Sequence, residues 1–172
     1  MYIKNVHRVY LFLLILNMNS TLNDSWEVFH KFSKYDYTDG VLQNYHIKTK
    51  EEFDFSNGGI CWDFIGPIHE MLLSKDVYHH CFFSEIQRDS TMIVSHTYII
   101  INDMPYRYWL ECAWQKHKGL FFISSYKDVE RILKEEYSSS EVHTVVYNPE
   151  KCYGKSADEF FSYLNECGVG LP

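Results

Sequence analysis

Two neighbouring segments rich in β-branched and aromatic residues constrain the fold more than any other feature of this sequence. They cover residues 91–101 and 106–114. Side chains of these types favour extended strands. The residues between them, Asn102 to Pro105, are mostly polar and include a proline, which is typical of a short turn. The sequence therefore predicts an antiparallel hairpin, and with it a sheet.

The predicted hairpin brings a histidine and an acid together. If the turn is centred between Asp103 and Met104, His96 lies directly opposite Glu111 on the same face of the sheet. The Cβ atoms of such a pair are roughly 4.5–5.5 Å apart. An imidazole–carboxylate hydrogen bond is then within reach, whereas a loop of odd length would break the pairing.

A cysteine earlier in the chain completes a candidate catalytic set. Gly58 and Gly59 allow a tight turn and a close backbone approach, and Cys61 follows at the start of a predicted helix. A helix N-terminus or a nearby imidazolium lowers the pKa of a thiol. A nucleophile also needs a base, and the base needs an orienting group. Cys61, His96 and Glu111 are therefore the predicted nucleophile, base and orienting acid.

Three short motifs carry a resemblance to a known family. They are Gly-Ile-Cys-Trp-Asp-Phe around Cys61, Ser-His-Thr-Tyr-Ile around His96 and Tyr-Trp-Leu-Glu-Cys-Ala-Trp around Glu111. Together they resemble the Cys, His and acid boxes of the transglutaminase-like superfamily, over residues 24–125. The sequence departs from that pattern in two places. The acid is commonly Asp in the superfamily but here is Glu111, and Pro67 falls within the predicted nucleophile helix.

The resemblance implies a papain-like core and acyl transfer through a thioester on Cys61. The substrate is then a peptide, a protein or a small amide or ester, and no cofactor is needed. Water as acceptor makes the enzyme a protease or amidase, and an amine makes it a transglutaminase. Two other interpretations stay open: a catalytically inactive transglutaminase-like binding module, and a purely structural role for Cys61, since free cysteine is often buried.

Pro67 leaves the helix start open. Proline inside a helix removes a hydrogen bond and clashes with the preceding turn, but it is favourable at the first helical position. Either the helix is kinked at Pro67, or it begins there and Cys61 lies in the turn before it.

Predicted helices and strands alternate along the remaining sequence. Helical patterns occur near residues 24–34, 49–53, 125–137 and 156–168, and strand patterns at 78–84, 119–123 and 142–147. The predicted fold class is α+β, with an antiparallel sheet of four or five strands packed on helices. Residues 24–172 are predicted to form one transglutaminase-like domain, and residues 1–23 an N-terminal extension.

Composition limits the partners and the compartment. With 172 residues, 46% of them hydrophobic, the chain can bury a substantial core. A net charge of −7 without a basic run argues against nucleic-acid binding. The apolar run from Val9 to Leu16 is too short to span a bilayer, so a membrane partner is not expected. Five cysteines without disulfide spacing favour the cytoplasm, although residues 1–20 resemble a secretory signal. The oligomeric state is left open.

The remaining histidines do not predict a metal site. His79, His80 and Cys81 are consecutive in a predicted strand, where side chains alternate between faces and cannot all meet one ion. His69 and His117 have no companion at the usual ligand spacing, so both are predicted to lie on the surface.

Overall fold

The structure is a computed structural model and describes residues 20–38, 44–88 and 92–168. The N-terminal apolar run with its predicted secretory signal lies outside these residues. The helices are α1 (Ser20–Phe32), α2 (Lys50–Phe55), α3 (Cys61–Ser74), α4 (Tyr126–Tyr137) and α5 (Ala157–Cys167). The strands are β1 (Asp36–Tyr37), β2 (Gly58–Gly59), β3 (His79–Gln87), β4 (Ile93–Asp103), β5 (Tyr106–Glu111), β6 (Gly119–Ile123) and β7 (Glu141–Tyr147), with short 3₁₀ turns at Gln115–His117 and Pro149–Lys151.

The main sheet has five strands in the order β6-β5-β4-β3-β7, and every neighbouring pair is antiparallel. This confirms the predicted α+β class and the predicted antiparallel sheet. The first helix begins at Ser20, four residues before the predicted domain boundary at residue 24. None of the helices in the described ranges has both the length and the apolar content needed to cross a membrane.

Both faces of the sheet are covered, because apolar side chains point alternately to either side of each strand. Cys81 and Phe83 of β3 belong to a core that also contains buried residues of α1, α2, α3 and α5. Phe82 and Ile86 of the same strand belong to a second core, which is closed by α4. The sheet is therefore the middle layer of the domain, with α3 on one side and α4 on the other.

The predicted β4–β5 hairpin is present, but the predicted register is wrong. Asp103 pairs with Tyr106, so the turn consists of Met104 and Pro105 and is centred one residue later than predicted. His96 consequently lies beyond the end of β5 instead of opposite Glu111, since the pairing of the two strands runs only from Ile99 to Asp103 on β4. The shift amounts to two positions across the pair and so preserves the face on which each side chain lies.

The glycines before Cys61 form a small second sheet. β2 pairs with β1 in parallel, with Asp36 next to Gly58 and Tyr37 next to Gly59. Gly58 has a φ of 129°, and a Cβ atom there would lie 2.1 Å from the Asp36 carbonyl oxygen. Only glycine fits this combination of backbone angle and close approach.

A Gly58→Ala substitution tests this constraint. We expect it to lower the free energy of unfolding by about 3 kcal/mol, because backbone strain is combined with a clash against backbone atoms. Gly154→Ala is the matched control: Gly154 has a φ of 73° but no atom within 4 Å of a built Cβ. It should cost only about 1 kcal/mol. Urea unfolding of both variants measures the difference, and equal losses would contradict the close-packing argument.

Candidate active site

Cys61 is the first residue of α3, and the helix continues without a break through Pro67 to Ser74. Of the two alternatives left open by the sequence, a helix that begins at Pro67 is therefore wrong. Backbone N–H groups in the first turn of a helix have no partner within the helix. The Cys61 side chain is buried, with 6% of its surface exposed.

Asp63, which was not among the predicted site residues, stabilises the start of this helix. Its buried carboxylate accepts hydrogen bonds from the backbone N–H of Ile60 at 2.9 Å, from the backbone N–H of Lys48 at 2.9 Å and from the Tyr45 hydroxyl. Burial raises the pKa of Asp63 even though these hydrogen bonds act in the opposite direction. An acid three residues after the helix cap is a recognisable sequence signal, and it could have identified Asp63.

Gly59 is the reason that the Asp63 carboxylate can fold back over the helix start. A Cβ atom at Gly59 would lie 2.1 Å from Asp63 Oδ2. The two glycines thus have different tasks: Gly58 permits pairing with β1, and Gly59 makes room for the carboxylate. Both fix the backbone immediately before Cys61.

His96 and Glu111 form a buried ion pair. His96 Nε2 lies 2.7 Å from Glu111 Oε2, and the two residues are only 4% and 2% exposed. The predicted contact is therefore present, although it runs diagonally across the strands because of the shifted register. Glutamate suits this arrangement, since its additional methylene extends the reach of the carboxylate along the strand direction.

The other carboxylate oxygen of Glu111 is also bound. Oε1 accepts the backbone N–H groups of Ala113 and Trp114, each at 2.8 Å. These residues follow the last residue of β5, which ends at Glu111 and not at residue 114 as predicted. Both oxygens of the carboxylate are thus held, so its orientation toward His96 is fixed.

Cys61 meets His96 at the end of β4 that β5 leaves uncovered. The Cys61 side chain lies close enough to His96 to raise the pKa of the imidazole, while Nε2 of His96 faces Glu111. The neighbouring residues are tied together as well: Trp62 Nε1 donates to Ser95 Oγ at 3.3 Å. The structure thus brings all three predicted site residues together.

The charge of Glu111 decides the protonation of His96. Burial alone would lower the pKa of His96 and is the largest single effect. The Glu111 charge and the hydrogen bonds to Cys61 and Glu111 together outweigh burial and raise the pKa above its usual value. The protonated imidazole is therefore favoured between Glu111 and Cys61.

A cleft of about 230 Å³ gives access to the imidazole. Besides His96 it is lined by Tyr37, Ser95, Trp114, Gln115 and Tyr137. The Trp114 ring lies 5.1 Å from the His96 ring, centroid to centroid. A larger cavity of about 550 Å³ lies between β6 and α4, and none of the three site residues lines it. We assign the smaller cleft to the site because it contains His96.

Two other histidines, His69 and His117, which were predicted to lie on the surface, are partly exposed. His69 is half-buried and lies with His79 and Cys81, with one potential ligand atom of each residue within 4.8 Å of those of the others. The grouping combines two residues from one face of a strand with a histidine that the sequence analysis considered separately. Sequence spacing missed it because His69 comes from α3, whereas His79 and Cys81 are two apart on one face of β3. The His117 ring packs against Trp114 in a tilted orientation, with ring centroids 4.1 Å apart.

The protonation of His96 gives a test by NMR titration. We expect His96 to stay protonated at pH 7 and Glu111→Gln to lower its pKa, because the charge that outweighs burial is removed. His79 serves as an internal control, since burial lowers the pKa of His79 to about 4 in the same protein. A neutral His96 at pH 7 in the parent would contradict the ion pair.

The raised pKa of His96 also makes the stability of the folded chain depend on pH. The pKa of His96 is higher in the folded chain than the value of about 6.5 expected for the unfolded chain. Its contribution to stability is therefore complete below about pH 6.5 and is lost as the pH rises through the raised pKa.

Comparisons of the chain with protein-family models, curated proteins and solved structures find no match. The resemblance of the three motifs to the transglutaminase-like superfamily therefore stays a prediction. What the described residues provide is an imidazole hydrogen-bonded to a carboxylate, with a thiol nearby and a small cleft at the imidazole.

Proposed function

We propose that this chain is a transglutaminase-like cysteine enzyme that transfers or hydrolyses acyl groups through a thioester on Cys61. One observation carries the proposal: His96 is hydrogen-bonded to Glu111 at the end of the sheet, and Cys61 is close enough to raise the pKa of the same imidazole. A helix-borne cysteine facing a histidine and an acid on a sheet is the arrangement that a papain-like core requires. The Cys, His, acid order along the chain agrees with it.

The first half of the reaction forms the thioester. The Cys61 sulfur attacks the carbonyl carbon of an amide or ester, and negative charge moves to the carbonyl oxygen. As the tetrahedral intermediate collapses, the C–N or C–O bond breaks, and protonated His96 gives its Nδ1 proton to the departing amine or alcohol. Glu111 keeps Nε2 protonated throughout, so that Nδ1 is the nitrogen that exchanges a proton.

The second half releases the acyl group. Water or an amine gives its proton to His96 Nδ1 and attacks the thioester carbonyl. The C–S bond then breaks and the Cys61 thiolate is restored beside the imidazolium. With water the products are an acid and an amine or alcohol, and with an amine the product is a new amide.

The backbone at the start of α3 supplies electrostatic stabilisation. The Cys61 N–H has no partner within the helix, and the helix dipole adds a partial positive charge at this end. Both favour the negative charge that develops on the carbonyl oxygen.

The cleft indicates a small acyl group or one side chain of a larger substrate. Its volume of about 230 Å³ equals the share of roughly eight water molecules in the liquid. Aromatic walls from Tyr37, Trp114 and Tyr137 suit an apolar or planar group, and Ser95 and Gln115 offer hydrogen-bonding partners. A peptide, a protein side chain or a small amide or ester fits this description.

Alkylation tests the nucleophile without a known substrate. At pH 6 iodoacetamide should modify Cys61 before the other four cysteines, because the adjacent imidazolium favours the thiolate. Burial raises the pKa of Cys81, of Cys112 and of Cys152, so these thiols should react slowly. Cys167 is the most exposed cysteine and the strictest competitor. Mass spectrometry across a pH series measures the order of modification.

Two variants sharpen the alkylation test. His96→Ala should abolish the preference for Cys61 at pH 6 and leave labelling at high pH largely unchanged. His143→Ala, at an exposed histidine on β7, is the matched control and should change nothing. If Cys61 reacts no faster than the others at pH 6, the proposed role of Cys61 as nucleophile is contradicted. The alternative function, a catalytically inactive binding module, is then favoured. Slow reaction at every pH until unfolding would identify a buried structural thiol.

A Glu111→Gln substitution tests the orienting acid. The glutamine oxygen can still accept the N–H groups of Ala113 and Trp114, so the fold should be retained. Its amide N–H, however, donates to His96 Nε2 and moves the imidazole proton to Nδ1, which can then no longer act as a base. We expect hydrolysis of a p-nitrophenyl ester to fall by up to about 10⁴-fold, the loss known for the analogous acid in a serine triad.

The control for this prediction is Glu85→Gln. Glu85 is a partly buried glutamate on β3, outside the triad, and turnover in this variant should equal that of the parent. Equal turnover in Glu111→Gln and the parent would contradict an orienting role for Glu111. Hydrolysis that is unchanged in Cys61→Ala would contradict the proposed nucleophile itself.

A further inference from the structure

Three potential metal ligands lie close together near the C-terminal half of α3, away from the first turn that contains Cys61. His69 is contributed by α3, and His79 and Cys81 by the first residues of β3. His69 Nδ1 lies 2.7 Å from His79 Nε2 and 3.7 Å from Cys81 Sγ. Imidazole nitrogen and thiolate sulfur are both ligands that zinc binds.

The second nitrogen of each imidazole faces an oxygen atom. His79 Nδ1 lies 2.7 Å from the Val77 carbonyl oxygen, to which it can only donate. His79 Nε2 is thereby left with its lone pair toward the cluster. On His69, Nε2 lies 3.7 Å from the Glu150 carboxylate, which leaves Nδ1 facing the cluster. Metal-binding histidines almost always have their outer nitrogen oriented by a carbonyl or carboxylate in this way.

The distances require only a small adjustment around an ion. Ligand atoms in a tetrahedral zinc site are roughly 3.3–3.7 Å apart, given Zn–N and Zn–S bonds of about 2.1 and 2.3 Å. The imidazole nitrogens at 2.7 Å would move apart, the His69–Cys81 distance already fits, and the remaining pair lies within 4.8 Å. A rotation of His69, the least buried of the three residues, would open its distance to His79, whereas the His79–Cys81 distance would be set by adjustment of those two side chains.

We propose that His69 Nδ1, His79 Nε2 and Cys81 Sγ bind one divalent ion of the zinc class, with a fourth position for water or another exogenous ligand. Binding releases the Cys81 thiol proton to solvent, because the thiolate is the coordinating form. The ion would clamp α3 to β3. His69 lies eight residues after Cys61 on one helix, about 12 Å along its axis, so the clamp would hold the far part of the helix that carries the proposed nucleophile.

Cobalt(II) is the probe for this site, because a cobalt–thiolate bond produces a charge-transfer band in the near ultraviolet. The titration is done in a Cys61→Ala background, which removes the other thiol–imidazole pair as a competing ligand. We expect one Co²⁺ per chain with a thiolate band, displaced by Zn²⁺, and a rise in melting temperature when Zn²⁺ is added.

Variants assign the ligands. Cys81→Ser should remove the band and the rise in melting temperature, and His79→Gln and His69→Gln should each weaken Co²⁺ binding at least tenfold. His80→Gln is the matched control: it is the neighbouring histidine on the other face of β3, where it contacts Asn102 at 2.9 Å. Cys167→Ser controls for loss of a thiol. Both controls should bind Co²⁺ like the background protein.

The proposal is overturned if no thiolate band appears at saturating Co²⁺, or if the band persists in Cys81→Ser. Equal weakening by His80→Gln would also overturn the ligand assignment. Circular dichroism of each variant without metal separates lost binding from lost folding. If Cys81→Ser does not fold, the two histidine variants decide the outcome, and unweakened binding in both contradicts the site.

Discussion

The structure around the candidate active site depends on one buried charge, the carboxylate of Glu111. An ionised carboxylate in a protein interior is costly unless it is paired and hydrogen-bonded. Glu111 is 2% exposed, and its two oxygens are held by His96 Nε2 and by the N–H groups of Ala113 and Trp114. These contacts turn the chain away from the sheet after β5, and they raise the pKa of His96. Removing the whole side chain would therefore affect the imidazole and the backbone together, whereas removing only the charge would affect the imidazole alone.

A second buried carboxylate, that of Asp63, holds the backbone next to Cys61 in the same way. Asp63 joins the segment around Lys48 to the backbone that precedes Cys61. Gly59 gives it room, and Tyr45 covers it. The sulfur and the imidazole thus come from two layers of the domain, and each is positioned by an acid fixed through backbone N–H groups. Backbone donors are well suited to this, since they cannot rotate away as a side-chain donor can.

The sequence was sufficient to predict the five strands of the main sheet, most helices and the common face of His96 and Glu111, but not the short strands β1 and β2. Strong β-forming segments and turn residues specify where strands lie, and a period of two specifies the face. The register depended on which residues form the turn, and the pattern did not distinguish a turn at Met104 and Pro105 from one centred a residue earlier. The end of β5 at Glu111 was missed because it follows from hydrogen bonds to a side chain. The cluster of His69 with His79 and Cys81 depends on how α3 packs on β3, and no local spacing encodes such a contact.

The hydrogen bond between Glu111 and the Trp114 N–H connects the orientation of the acid to the position of one wall of the cleft. The same three-residue segment after β5 orients the acid and supplies an aromatic wall of the cleft. An insertion or deletion there would disturb both, so this segment has little freedom to diverge. Tyr37 and Tyr137 reach the same cleft from β1 and α4. The lining of the cleft is therefore assembled from three separate parts of the chain, and only the part after β5 is tied directly to the acid that faces His96.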